Sequence, residues 1–284
     1  MPIINQIVEN AINAGSSDIH LEENKAIAVR INSDIRISEQ KLSPENFDDI
    51  LSELLSEEEM KNYLEKFDLD TSISINGLAR LRINAYFSNQ RRCLTIRILN
   101  ENVPNWKDIG LPESFMNLAK CHKGLILCTG PTGSGKSTTL AAIVNEINRT
   151  RTANIITVED PVEFIHTDAK SIVSHREVGK QTQTFASALK AALREDPDVI
   201  LVGEMRDLET VSLALTAAET GHLVFGTLHT SGAPNTINRI IDVFPPEQQA
   251  QIRAQLSTSL KMVVTQRLLK TKDGQGRVGA FEIM

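Results

Sequence analysis

The sequence predicts an α/β protein of two domains, the larger of which, at the C-terminal side, contains a mostly parallel sheet. After residue 114, short apolar strands alternate with helices, and this pattern indicates a parallel sheet covered on both faces. Between residues 71 and 100, polar and apolar residues alternate singly, as in strands with one buried face. Pro104 and Pro112 mark a linker between these regions. We therefore predict domains at 1–99 and 114–284, joined by a linker at 100–113.

The composition is that of a globular protein. The 284 residues are 41% hydrophobic and 23% charged, and these values exclude a disordered or fibrous chain. No run approaches the roughly 18 apolar residues of a membrane span, and we expect no signal peptide. The net charge of −6 argues against nucleic acid as a partner. The three cysteines form no C-x-x-C pair, so the sequence signals neither a disulfide framework nor a zinc site.

The N-terminal domain begins with a predicted helix and continues with a hairpin around Asn32-Ser33-Asp34. Residues 39–70 contain eleven acidic residues and three lysines. Their apolar residues recur at helical spacing, so we interpret this segment as an acidic helix with a solvated face. The apolar positions of the opening helix are Ile3, Ile4, Ile7, Val8, Ala11 and Ile12.

The charge balance inverts between residues 71 and 100. This segment has five arginines and no lysine, aspartate or glutamate; they are Arg80, Arg82, Arg91, Arg92 and Arg97. We expect them to lie on strands and to find partners elsewhere. The alternative is that they form salt bridges with the acidic helix of the same domain.

In the C-terminal domain the predicted strands are apolar and short. Helices are expected from Lys136 and from Asp207, and a last strand ends at residues 279–284. The other strands are Gly124–Thr129, Ala153–Val158, Val199–Val202 and Leu223–Leu228.

Residues 130–137 match the phosphate-binding motif G-x-x-x-x-G-K-[ST] at every fixed position. The motif follows an apolar strand and precedes a helix predicted over 138–148, which is the context that the motif requires. Backbone N–H groups, the helix N-terminus and Lys136 would together hold the phosphates, and the Ser137 hydroxyl would bind Mg²⁺. The sequence therefore predicts nucleotide binding through Gly130, Pro131, Thr132, Gly133, Ser134, Gly135, Lys136, Ser137 and Thr138.

Hydrolysis needs an acidic group beside the γ-phosphate, commonly at the end of a neighbouring strand. Glu204 occupies such a place after Val199–Val202, whereas Gly203 stands where an aspartate is usual. Metal binding would then depend on Ser137, Glu204, water and other carboxylates. Further carboxylates follow the strand that begins at Ala153; they are Glu159, Asp160 and Glu163. Their alternative interpretation is an ordinary polar turn.

Two histidines border the strand Leu223–Leu228. His222 precedes it and His229 follows it. By themselves both are interpreted as structural hydrogen-bonding residues, since this is the commoner role of a single histidine.

Taken in order, these segments resemble the motor ATPases of secretion systems and type IV pili. The resemblance covers nearly the whole chain, and the sequence Gly203-Glu204 belongs to it. Residues 204–207 and 217–222 are most similar to the pilus-retraction members. The matching segments are residues 15–21, the phosphate motif, 156–164, 176–179, 191–207, 216–222 and 227–230.

The resemblance implies a RecA-like ATPase domain after a PAS-like N-terminal domain, and a homohexamer with nucleotide at subunit boundaries. It implies ATP and Mg²⁺ as cofactors, an inner-membrane pilus platform protein as partner, and a cytoplasmic location at the inner face of the membrane. It also implies catalytic roles for Glu204, Glu163, His229, Arg82 and Arg97, with the two arginines reaching a neighbour's site. Arg80 and Arg92 are the second candidates. Nucleotide contacts are implied for Glu159, Asp160 and His222.

Family members continue beyond the strand at 279–284, so we expect this chain to be C-terminally short. Besides a retraction motor, three other functions are considered. They are a pilus-assembly or type II secretion ATPase, a shortened nucleotide-binding regulatory subunit, and, least favoured, a small-molecule kinase.

Overall fold

A computed structural model describes residues 2–32, 34–75, 77–99, 103–272 and 276–284. The chain divides into two compact units, residues 1–101 and 102–284. Of the predicted features, Ser33 in the first hairpin and residues 100–102 of the linker lie outside the described residues. No helix in the described part of the chain is both long and apolar enough to cross a membrane.

The first unit is a six-stranded antiparallel sheet with three helices. The sheet has the order β3-β2-β1-β6-β5-β4. In chain order its elements are α1 (Ile3–Asn13), β1 (Ser16–Glu22), β2 (Ala26–Ile31), β3 (Asp34–Lys41), α2 (Pro44–Leu54), α3 (Glu57–Lys66), β4 (Asp68–Ile75), β5 (Ala79–Ser88) and β6 (Arg91–Leu99).

The two faces of this sheet differ, because side chains alternate along each strand. Ile19, Leu81 and Ile96 are fully buried in a core that includes the apolar residues of α1 and α2. The register places Asp18 opposite Arg97, and Arg97 opposite Arg82, on the other face. All five predicted arginines lie on β5 or β6, and Arg82 and Arg97 form with Asp18 a polar row that crosses β5, β6 and β1.

The prediction of one acidic helix over residues 39–70 was wrong, since the segment forms two helices and parts of two strands. Ser43 caps α2, with Pro44 in its first turn. Ser56 starts α3 with a capping box, in which its hydroxyl accepts from the Glu59 N–H and the Glu59 carboxylate accepts from the Ser56 N–H. This reciprocal pair favours a new helix start at Ser56.

The second unit contains a seven-stranded sheet of order β13-β12-β7-β11-β10-β8-β9. All described pairings are parallel except that of β12 with β13, so the predicted mostly parallel sheet is confirmed. Its elements are a 3₁₀ helix (Glu113–Lys120), β7 (Gly124–Thr129), α4 (Lys136–Thr150), β8 (Asn154–Glu159), β9 (Ile172–Glu177), α5 (Phe185–Ala192), β10 (Val199–Val202), α6 (Leu208–Glu219), β11 (Leu223–Leu228), α7 (Ala233–Asp242), α8 (Pro246–Ser259), β12 (Leu260–Lys270) and β13 (Arg277–Ile283).

Helices pack on both faces of this sheet, as predicted. Leu125 and Leu127 of β7 belong to one core with residues of α5, α6, α7 and α8. Ile126 and Cys128 belong to a second core with α4 and the 3₁₀ helix. Burial on both faces explains why the central strands are continuous apolar runs. The helix after the phosphate motif begins at Lys136, which confirms the earlier of its two predicted starts, and extends two residues beyond the predicted end at 148; β8 is shifted by one residue from the prediction.

Candidate nucleotide-binding and hydrolysis site

The phosphate motif forms the turn between β7 and α4. Pro131, Thr132 and Gly133 are exposed at its tip, whereas Ser134 and Lys136 are buried. The Lys136 ammonium donates to the carbonyl oxygens of Gly130 at 2.9 Å and Pro131 at 3.1 Å. The loop therefore curves around the ammonium, which is held at the N-terminus of α4, where a phosphate is favoured.

The charge state of Lys136 reflects this enclosure. Lys136 is only 8% exposed. Burial lowers the pKa of Lys136 below its usual value, and the charges of Glu204 and Glu163 act in the opposite direction. The two predicted carboxylates therefore act electrostatically on the lysine of the loop, as a hydrolysis site requires.

The loop also contains hydroxyl groups that are free to bind an anion. Ser134 Oγ is buried, and it has no hydrogen-bond partner among the described residues. Buried polar atoms are normally hydrogen-bonded, so a lone hydroxyl inside a phosphate loop points to a ligand oxygen as its partner. The Ser137 hydroxyl, on the first turn of α4, likewise has no partner in the part of the chain that the structure describes.

Glu204 follows β10 and contacts a guanidinium and an imidazole. Glu204 Oε1 lies 2.5 Å from Arg206 Nε and 3.1 Å from His229 Nε2. Burial alone would raise the pKa of Glu204, but the contacts with Arg206 and His229 outweigh it and hold the pKa below its usual value. Glu204 is therefore ionised at neutral pH, which a base or a ligand of a cation requires.

His229 joins Glu204 to the phosphate loop. Its Nδ1 lies 3.5 Å from the Thr132 hydroxyl, while its Nε2 faces Glu204. The interpretation of His229 as only structural is thus less favoured than a role at the site. An open cleft of about 360 Å³ adjoins this group and is lined by Glu204, Arg206, His229 and Arg239 among others.

Gly203 has too little room for the aspartate usual at its position. A Cβ on Gly203 would lie 3.1 Å from both the Glu159 Cα and the Val158 carbonyl oxygen. Such contacts with backbone are tighter than side chains normally make, so β8 would have to move. The strand end therefore carries its carboxylate one residue later, on Glu204.

The segment after β8 contributes the remaining predicted carboxylates. Glu159 ends β8 and lines a small cavity together with Ser137. Asp160 is exposed, and its charge acts on Arg206. This segment is held by the buried Glu177, whose Oε2 accepts from the Val162 N–H at 3.1 Å. Sequence reasoning missed Glu177, although its place at the end of β9 is the same kind of signal that identified Glu204.

His222 lies away from the group formed by Thr132, His229 and Glu204. It precedes β11 at the edge of the sheet opposite the loop, about 20 Å along the strand from His229 by the rise of a β-strand. Its Nδ1 lies 2.9 Å from the Ala217 carbonyl oxygen and 3.2 Å from the Thr220 hydroxyl. This placement does not support contact with nucleotide in the same subunit.

The expectation that the arginines find partners outside their own segment is confirmed for Arg91, Arg92 and Arg97, and the alternative, a salt bridge to the acidic segment of the same domain, holds for Arg92. Arg91 pairs with Glu22, and Arg92 pairs with Glu23 and with Asp48 of α2. Arg97 pairs with Asp18 at 2.9 Å, and Arg80 donates to Ser72 at 2.7 Å. The acidic partners lie in sequence outside residues 71–100 but within the same unit. Arg82 alone of the five has neither hydrogen bond nor ion pair with the described residues.

The residues also fit Mg²⁺ bound with nucleotide. Among the described residues, no three or more His, Cys, Asp or Glu side chains converge as a metal site. Mg²⁺ in nucleotide sites needs only one or two protein oxygens, because phosphates and water complete its shell. Ser137 and Glu204 are the oxygens that the sequence predicts for this purpose.

Fold and site together define a P-loop nucleotide-binding protein. The family described as "Type II/IV secretion system protein" matches residues 1–282, and the chain belongs to this family. It is 45% identical over 282 residues to the type IV pilus retraction ATPase PilT of Pseudomonas aeruginosa, covering 99% of this chain and 82% of the relative. It is 47% identical to a twitching motility protein of Neisseria gonorrhoeae, covering 90% and 69%.

A solved structure of a pilus retraction motor has the same fold as this chain. The crystal structure of the pilus retraction motor PilT with bound ADP superposes with a TM-score of 0.94 at 47% identity, covering 100% of this chain and 83% of the other. The α/β fold with its mixed sheets is therefore that of this family.

Proposed function

We propose that this chain is a subunit of a ring-shaped motor that hydrolyses ATP to power type IV pilus retraction. The observation that carries the proposal is the series Thr132, His229, Glu204, which joins the phosphate loop to an ionised carboxylate. The relatives that match along nearly the whole chain are pilus retraction ATPases, and they support the same function here. We also assign residues 1–99 to a PAS-like domain, 100–113 to the linker and 114–284 to a RecA-like domain.

In this proposal the loop residues Gly130–Thr138 bind the phosphates, with Lys136 at the β- and γ-phosphates. Glu204 orients and deprotonates the attacking water, and Glu163 is the second carboxylate at the γ-phosphate. His229 holds Glu204 toward the loop through its two ring nitrogens. Ser137 and Glu204 would hold Mg²⁺, which would supply charge neutralisation of the phosphates when bound. Glu159 and Asp160 line the metal side of the site.

The active assembly is proposed to be a homohexamer, in which an arginine of the first unit completes a neighbour's site. Arg82 becomes the first candidate, because Arg97 already pairs with Asp18 in its own unit. An unpaired guanidinium keeps its donors for a γ-phosphate. The motor is proposed to act in the cytoplasm at the inner face of the membrane, on an inner-membrane pilus platform protein.

Two experiments test this function. Steady-state phosphate release with ATP and Mg²⁺ should show turnover; a chain that retains nucleotide and releases no phosphate would be a regulatory subunit. Expression in cells that lack their own retraction ATPase should restore twitching and reduce surface pili. Restored pili in assembly-deficient cells, with no effect on retraction, would instead favour the assembly function.

A further inference from the structure

Gln266 lies on β12, far from the phosphate loop in sequence but against it in space. The residue is 3% exposed. Its Oε1 accepts a hydrogen bond from the Thr139 hydroxyl of α4 at 2.8 Å, and the Cys128 thiol of β7 lies 4.0 Å from the same oxygen. One buried amide thus contacts both the strand before the loop and the helix after it.

The same residue touches the first and the last glycine of the motif. A Cβ on Gly130 would lie 2.2 Å from the backbone carbonyl oxygen of Gln266. A Cβ on Gly135 would lie 2.8 Å from Gln266 Nε2. Both glycines also have φ in the positive region, at 140° and 88°. Both positions are therefore restricted to glycine, by the contact with Gln266 as well as by the backbone conformation.

The position of Gln266 is determined by the pairing of β12 with β7. Thr265 is opposite Thr129, the residue that precedes Gly130, and their hydroxyl oxygens are 2.9 Å apart. A shift of β12 by one residue would turn Gln266 to the other face of the sheet. The strand therefore holds the amide in one place beneath the loop.

We propose that Gln266 is a positioning residue for the phosphate loop. Its backbone carbonyl lies against Gly130, and its side-chain amide lies against Gly135 and Thr139 and holds that end of the segment at the spacing at which the loop's N–H groups converge on a phosphate. Thr139 orients its amide so that Oε1 faces α4 and Nε2 faces Gly135. The inference rests on the proposed function, since the loop must bind nucleotide for its geometry to matter.

The test measures ADP affinity by calorimetry and thermal stability on the full chain. Gln266→Met keeps nearly the same volume but removes both polar groups, and we expect it to raise the Kd for ADP about tenfold, as loss of one buried hydrogen-bonded contact would. Thr139→Val removes the partner, and the double variant should bind no more weakly than Gln266→Met, because both remove the same bond. Ser171→Ala is the control, since it removes another buried hydrogen bond, from the Ser171 hydroxyl to the Arg151 carbonyl oxygen at 2.8 Å beyond the C-terminal end of α4: it should lower stability and leave the Kd within about twofold.

The outcomes separate the possibilities. Unchanged affinity in Gln266→Met, beside normal binding by the unsubstituted chain, would overturn the inference alone. An equal loss in Ser171→Ala would overturn it too, since the effect would be one of general destabilisation. If Gln266→Met does not fold, the Kd of Thr139→Val for ADP decides alone: a raised Kd would support the inference, and an unchanged Kd would overturn it. Absence of ADP binding in the unsubstituted chain would overturn the proposed function, and this inference with it.

Discussion

His229 Nε2 lies 3.1 Å from Glu204 Oε1. The two residues end neighbouring parallel strands, β11 and β10, and parallel strands bring their carboxyl ends to one edge of the sheet. Thr132 of the phosphate loop contacts the other nitrogen of the ring. One imidazole therefore links the phosphate loop to the carboxylate of Glu204.

Lys136→Ala should abolish hydrolysis and weaken nucleotide binding, because it removes the ammonium enclosed by the loop. Phosphate release and ADP calorimetry measure the two effects. Lys190→Ala, an exposed substitution on α5, is the control and should behave as the unsubstituted chain. Normal turnover in Lys136→Ala would refute the assignment of the site.

Glu204→Gln should lower turnover by about 10²-fold or more while ADP affinity changes little, since a general base contributes on this order and the loop is intact. Single-turnover phosphate release and calorimetry distinguish the two quantities. Glu209→Gln, exposed in the first turn of α6, provides the control. Lost binding in a folded Glu204→Gln protein would mean that Glu204 supports structure and not hydrolysis.

Arg82→Ala should reduce turnover in the assembled ring by about 10³-fold, the order expected of a trans arginine, while the affinity of a single subunit is kept. Mixing Arg82→Ala with Glu204→Gln subunits at equal amounts should restore activity at about one interface in four, where an intact acid meets an intact arginine across a ring contact. Arg97→Ala should have a smaller effect on turnover, because Arg97 already pairs with Asp18.

Arg91→Ala, at an exposed pair with Glu22, is the control in the same mixing assay. No recovery in any mixture, together with turnover independent of protein concentration, would show that Arg82 acts within its own subunit.

The stability of the fold should fall in mild acid because of His166. Burial, together with the charge of the stacked His175, lowers the pKa of His166 to about 4. An unfolded histidine titrates near pH 6.5, so between about pH 6.5 and 4 the unfolded state binds a proton that the native state does not. The free energy of unfolding is unaffected by this group above pH 6.5 and decreases by about 1.4 kcal/mol per pH unit within that window.

Denaturant unfolding of the unsubstituted chain and of His166→Gln at pH 8, 7, 6 and 5 measures this effect. The variant should be less stable at pH 8, owing to altered packing, and the difference should shrink as the pH falls. Two parallel curves across the whole range would mean that His166 does not contribute to the acid sensitivity.

The local parts of the site were predictable from sequence, and the long-range parts were not. The loop, Glu204 and His229 follow strands that a short apolar run identifies, so their common edge of the sheet could be inferred. Gln266 is an ordinary strand residue by pattern, and only the pairing of β12 with β7 reveals its contact with the loop. Contacts between distant segments leave no periodic signal.

In the first unit, two local signals indicate features beyond the predicted ones. The capping box at Ser56 and Glu59 marks the second helix, although the acidic composition runs on continuously across it. The pairing of Arg97 with Asp18 depends on β1, whose alternation of Asp18, Ile19, His20 and Leu21 is typical of a strand.

The support of the phosphate loop by β12 has a consequence for the order of biosynthesis. Chains emerge from the ribosome beginning at the N-terminus, and domains fold as their segments become available. The first unit is complete before the phosphate motif is translated, but Gln266 follows the motif after α8. A nascent chain that has exposed β7 and α4 still lacks β12, so its loop has no amide beneath it. The contacts of Gln266 with the loop can therefore form only late, once β12 has left the exit tunnel.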